Sequence, residues 1–200
     1  MSTTIDAEQD YYATRFSGLD LSRRTLTART YEECVFTACS FSEATLAGCK
    51  LLDCGFVDCN LSLAKVTRTR FRGVTFTGCK LVGINWTSAA WQRLATAAPL
   101  EFRDCILNDG SFLGLALQEL VVEHCKARDV DWREANLSGA KLCHTDLTHA
   151  LFSGTTLSHA DLTGAIGYDI DVLSNDVRHA RFSRDEAVRL LLGLQIELAD

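Results

Sequence analysis

Apolar residues recur along this chain at every fifth position. The series Phe16, Leu21, Leu26, Tyr31, Phe36, Phe41, Leu46, Leu51, Phe56, Leu61, Val66, Phe71, Phe76, Leu81 and Trp86 contains no polar member. The frame then slips by one residue and resumes as Phe102, Leu107, Phe112, Leu117, Val122, Ala127, Trp132, Leu137, Leu142, Leu147, Phe152, Leu157, Leu162, Gly167, Val172, Val177 and Phe182. Only Gly167 is not apolar there, and all ten phenylalanines of the chain fall in the two series. A helix repeats every 3.6 residues and a strand every 2, so neither makes this pattern. A fixed short period is the mark of a solenoid, in which each repeat buries its apolar side against its neighbours.

A second periodic position lies two residues before each centre and is small. It reads Cys34, Cys39, Ala44, Cys49, Cys54, Cys59, Ala64 and Thr69 early on, then Ala135, Ala140, Thr145, Ala150, Thr155, Ala160 and Ala165. If twenty residues make one coil, Phe16, Phe36, Phe56 and Phe76 form one column and Phe112, Trp132 and Phe152 another. Neighbours in a column would be spaced like strands, about 4.8 Å apart. The predicted organisation is a lead-in at 1–13, a first stack at 14–86, an interruption at 87–101, a second stack at 102–183 and a tail at 184–200.

The interruption is one residue longer than whole repeats allow. Ser88 to Ala98 is rich in helix formers and ends at Pro99, and Trp91 still lies in the first frame. A short helix and a bulged coil both fit, and a projecting segment carrying Trp91, Gln92 and Arg93 is a candidate partner contact. After Phe182 the period becomes helical. Ser183 followed by Glu186 reads as a capping box, and Ala187, Leu190, Leu191 and Leu194 make an apolar stripe continued by Ile196 and Leu198. The tail can cap the open solenoid or join two copies, and its apolar width favours a dimer interface made of these six residues.

Composition narrows the remaining choices. With 47% apolar residues in a 200-residue chain and one proline, a single folded domain is expected. No basic segment followed by an apolar run opens the chain, so a cytoplasmic location is expected. Eight of the nine cysteines take the small inward position, Cys143 being the exception. That pattern reads as reduced, buried thiols rather than a metal site, since no C-x-x-C pair or Cys/His cluster occurs. His124, His144, His149 and His159 each follow a centre by two and read as exposed turn residues. A filled core offers no pocket, so no cofactor, no metal and no catalytic residue is expected.

The formal net charge of −6 is unevenly spread. Residues 1–100 carry 11 Lys+Arg against 9 Asp+Glu, and residues 101–200 carry 9 against 17. The acidic excess therefore belongs to the second half. Asp104, Asp109, Asp129, Asp131, Glu134, Asp146 and Asp161 are its candidate partner-binding residues, with Asp109 and Asp129 stacked on one edge.

The segments ANLSG (Ala135 to Gly139), TDLTH (Thr145 to His149) and ADLTG (Ala160 to Gly164) resemble the pentapeptide-repeat family, and the resemblance covers about residues 14–183. It implies an all-β solenoid, a right-handed quadrilateral β-helix with four pentapeptides per coil. The tail FSRDEAVRLLLGLQIELAD, with GINWTSAAW and CILND, is similar to the topoisomerase-protecting, Qnr-type group, above all its albicidin-resistance branch. That likeness implies a C-terminally joined homodimer that imitates B-form DNA. It further implies binding to DNA gyrase, with topoisomerase IV as the other target, and protection against poisons such as albicidin or quinolones; the acidic charge opposes direct contact with nucleic acid, and no run of about 18 apolar residues suits a membrane. One interruption stands where many members of the group carry two loops. The competing expectation is a scaffolding solenoid with another protein partner.

Overall fold

Most pentapeptides close on a residue in the left-handed region, two places after the apolar centre, at φ between +46° and +73°. Alanine, arginine and leucine occupy it as well as glycine, at Ala28, Arg23 and Leu63. The conformation costs an L-residue roughly 1–2 kcal/mol, and the coils offset it by hydrogen bonding. The turn N–H of Asp109, for instance, donates to the Arg128 carbonyl at 3.0 Å and that of Asp129 to Thr148 at 3.0 Å.

The computed structural model describes residues 10–91, 100–194 and 196. They wind into a parallel β-solenoid of about eight turns. Strands are three or four residues long in most cases, as in β1 (Asp10–Tyr12), β2 (Arg15–Ser17) and β3 (Thr25–Thr27). All pairings are parallel, and Phe16 lies against Phe36, Phe36 against Phe56 and Phe56 against Phe76, at the predicted spacing of twenty residues. Three further ladders run beside this one. One carries Asp20, Ser40, Asn60, Lys80, Ile106, Lys126, Asp146 and Ile166. Another carries Thr25, Thr45 and Lys65, then Asn85, Ser111, Asp131 and Leu151. The last carries Asp10, Thr30, Lys50 and Arg70, then Ala116, Asn136, Thr156 and Asp176.

The predicted columns are present. Phe36 and Phe56 stack with ring centroids 4.7 Å apart, and Phe112 and Trp132 with centroids 4.4 Å apart. Every centre of the first series is buried, and so is every centre of the second as far as Leu162. The small inward residues do more than leave room. Cys59 Sγ donates to the Phe36 carbonyl at 3.3 Å, Cys79 Sγ to Phe56 at 3.4 Å and Thr145 Oγ1 to Val122 at 2.8 Å. A thiol or hydroxyl there satisfies a carbonyl of the preceding coil that an alanine leaves alone.

All nine cysteines are free, and Cys143 is the one not fully buried. Burial pushes the Cys54 thiol up to about 12. The Cys59 thiol is raised by its hydrogen bond with Cys79 and by burial. Since the thiolate is the reactive form, a disulfide reagent at pH 8 should modify about one thiol of the native protein, Cys143, and all nine in denaturant. Rapid native labelling of several thiols would contradict this packing.

At the interruption the ladder does not lose its place. Phe76 pairs with Phe102 and Lys80 with Ile106, so twenty-six residues span the interval elsewhere spanned by twenty. A 3-10 turn at Trp86–Ser88 is capped by Asn85, whose side chain accepts from the Thr87 N–H. The chain follows the coil as far as Trp91, which stacks on Phe71 at 6.1 Å and donates from Nε1 to the Trp86 carbonyl at 2.8 Å. The second stack begins with the strand Leu100–Arg103. Most of the expected helix at 88–98 lies outside the described residues.

Two expectations at the C-terminal end need correction. Gly167 is not a core centre. The frame slips by one, and Tyr168 and Ile170 are buried while Val172 is only half-buried. Tyr168 packs on Phe182 at 5.6 Å, and register is regained because Leu162 pairs with Phe182. The tail is also less regular than its stripe suggests, with one α-helical turn, α1 (Arg184–Ala187), followed by a 3-10 helix at Val188–Leu194. Ser183 makes no capping bond within α1. Instead Ser183 Oγ accepts from the Gly164 N–H at 2.7 Å, and Glu186 Oε2 accepts from the Gly167 N–H at 3.2 Å. Arg189 Nε donates to the Tyr168 carbonyl at 2.9 Å. These side chains stand where a further coil would supply backbone partners, so the tail covers the last turn.

Candidate partner-binding faces

The seven predicted acidic residues divide by their place in the repeat. Asp104, Asp109, Asp129 and Glu134 are exposed turn residues in the left-handed region. Asp131, Asp146 and Asp161 sit one residue before a centre, point outward from the ladders and are half-buried.

The second group is partly neutralised. Arg133 holds Asp131 through two bonds of 2.9 Å, Arg128 donates to Asp146 at 2.6 Å, and Arg181 lies 3.1 Å from Asp161. The Arg133 bonds keep the Asp131 carboxyl below the usual range. Burial works against ionisation of Asp146 and Asp161, and hydrogen bonds from Thr148 and Thr163 with the arginine charges outweigh it, so both are also lowered. A carboxyl depressed on folding stabilises the fold above its unfolded pKa and loses that contribution as pH falls.

The structure does not bring all seven to one face. Asp109 and Asp129 line one edge, where His149 Nδ1 approaches Asp129 at 3.5 Å. Asp104 belongs to the neighbouring edge with His124 and His144, whose rings stack at 4.8 Å. Asp131 and Glu134 join Asp109 and Asp129 on the face built by the Ser111, Asp131 and Leu151 ladder. Asp161 lies on the ladder of Lys141 and Val121.

Sequence reasoning missed Asp169 and Asp171, because they follow the slip at Gly167 where the repeat no longer indexes them. With His149, Leu151, Phe152 and Arg189 they border a groove of about 570 Å³. Exposed leucines also went unpredicted: Leu113 at 39%, Leu151 at 47% and Leu173 at 76% exposure interrupt the acidic side. Among the described residues no group of three His, Cys, Asp or Glu could hold a metal ion, and no helix is long and apolar enough to cross a membrane.

Trp91 is half-buried in its column, while Gln92 and Arg93 lie outside the described residues. In the tail, Ala187, Leu190 and Leu191 are half-buried, and Leu190 packs against the core. Leu194 and Ile196 are exposed at 38% and 51%. Leu198 lies outside the described residues.

A family model described as a pentapeptide repeat region matches residues 29–97, and one described as pentapeptide repeats matches residues 133–166. The chain belongs to the pentapeptide-repeat family. Among solved structures this pentapeptide-repeat protein is similar to a trypsin-treated variant of QnrB1, a plasmid-mediated fluoroquinolone resistance protein. The TM-score is 0.70 at 19% identity, over 95% of this chain and 90% of that one. A second trypsin-treated QnrB1 variant gives a TM-score of 0.61 at 20% identity, over 96% and 92%. At such identities the likeness speaks for the shared fold. No curated protein sequence matches the chain.

Proposed function

We propose that this pentapeptide-repeat protein is a non-catalytic DNA mimic that acts in the cytoplasm. It binds DNA gyrase, with topoisomerase IV as a second target, and protects the enzyme from poisons such as albicidin or quinolones. The coil is right-handed with four pentapeptides per turn, and two copies join through Ala187, Leu190, Leu191, Leu194, Ile196 and Leu198. The reading is carried by one observation: acidic side chains recur along the solenoid and their excess belongs to its C-terminal half, with 17 Asp+Glu in residues 101–200 against 9 in residues 1–100. About eight turns at ~4.8 Å make roughly 40 Å. Joining two copies tail to tail doubles that length and brings both acidic halves to the centre, matching some 20 base pairs at about 3.4 Å each. A surface that grips duplex DNA is basic, so the acidic rod meets opposite charge, which steers association and fixes register. The shared fold with QnrB1, a fluoroquinolone resistance protein, supports the choice of quinolones among the poisons.

The test is a gyrase supercoiling assay with quinolone or albicidin, titrated with this protein, alongside binding measured at low and high salt. Supercoiling is expected to persist in the presence of the poison, and binding to weaken as salt rises. Absence of gyrase binding at low salt would end the proposal and favour a scaffolding solenoid with another partner.

A further inference from the structure

One face of the rod changes sign along its length. Its rows run from edge to edge as residues 23–28, 43–48, 63–68 and 83–88, then 109–114, 129–134, 149–154 and 169–174. The rows below the interruption hold Arg23, Arg24, Lys65 and Arg68 against one acid, Glu43. Those above hold Asp109, Asp129, Asp131, Glu134, Asp169 and Asp171 against one arginine, Arg133. Lys65 and Arg68 are exposed. On this face Asn85 pairs directly with Ser111 across the interruption.

We propose that this face binds a second copy of the chain side by side, with the two rods antiparallel. The two-fold axis lies between the Asn85 and Ser111 rows. The register follows from counting. Rows 63–68 and 129–134 lie equally far from that midpoint on opposite sides, and a two-fold across the rods sets each outward column against the same column of the partner. Lys65 then faces Asp131 of the other copy, and Arg68 faces Glu134. One row farther out, Glu43 faces His149. No like charges meet at these three places. At the axis Asn85 and Thr87 face Ser111 and Leu113, and no large charged side chain holds the two faces apart.

A parallel two-fold sets every row against itself with its columns exchanged, so the basic rows 23–28 and 63–68 meet their own kind and Asp129 meets Glu134, which like-charge repulsion disfavours. The charge pattern therefore selects one orientation and one register. This contact is separate from the tail-to-tail junction and does not rest on gyrase binding, though it covers Asp109, Asp129, Asp131 and Glu134. A partner of the acidic face would compete with it.

Sedimentation of the full chain should show a salt-sensitive association step at about 50 mM salt that is lost near 500 mM. This step adds to any species that persists at high salt. Carbodiimide coupling should join Lys65 to Asp131 or Glu134. Those residues are three rows apart in one chain, roughly 14 Å at the strand spacing, so a zero-length link forms only between copies. The K65E/R68E variant should weaken the step at least about tenfold, since four ion pairs become repulsive across the two-fold. Combining it with D131K/E134K should restore it. A mass independent of salt, an association step that K65E/R68E retains, or coupling confined to other rows would overturn the proposal. So would a basic strip that binds a DNA duplex at 50 mM salt while the chain shows no such step.

Discussion

Phe56→Ala is expected to lower unfolding free energy by about 3–5 kcal/mol, the range for deleting a fully buried aromatic ring. Phe56 is 1% exposed and lies between Phe36 at 4.7 Å and Phe76 at 4.9 Å, with Phe41 edge-on at 5.8 Å. Removing it takes one ring out of a continuous stack, and the rungs on either side cannot close the gap because backbone ladders fix their separation. In a solenoid each coil contacts only its neighbours, so the loss falls on the local coils and broadens the transition. Urea denaturation followed by circular dichroism measures it. Leu63→Ala, at an exposed turn, serves as the control and should shift stability by no more than about 0.5 kcal/mol. A loss below about 1 kcal/mol for Phe56→Ala would mean that the column is not what holds the rod together.

The second large effect concerns partner binding. Asp104, Asp109 and Asp129 are exposed turn residues whose backbones already sit where arginines sit at Arg23 and Arg68. Lysine there should leave the fold intact. The triple variant D104K/D109K/D129K is expected to raise the concentration needed to protect gyrase by more than about tenfold, and each single change by no more than about threefold, because rim charges act through their sum. Supercoiling in the presence of a quinolone reads this directly, with circular dichroism confirming that the solenoid persists. Full protection by the triple variant would remove the acidic surface from the binding face.

The repeat itself was legible because the solenoid core asks the same thing of each pentapeptide. Phe16 and Leu142 satisfy one rule at opposite parts of the rod, and a rule repeated so often tolerates no accident. The misses are where that rule stops. Around Gly167 the count of five still runs through Val172 to Val177, since the chain recovers register by Leu162 and Phe182. Counting alone therefore cannot see that Tyr168 has entered the core instead. In the tail, Ser183 and Glu186 have the right spacing for a capping box, but the unpaired N–H groups of Gly164 and Gly167 lie closer to hand and take both side chains. The acidic excess was readable as a count, and its distribution over edges was not. Which turn residue shares a face with which depends on the coil that carries it, so Asp104 and Glu134 fell on different edges.

The pairing of Phe76 with Phe102 separates the alignment of the columns from the number of residues that lie between them. Residues were gained between Trp91 and Leu100 without altering which side chain lies above which, so that point of the winding can take segments of other lengths and compositions while the columns on both sides stay aligned. New contacts can be grafted there at no expense to the load the columns bear.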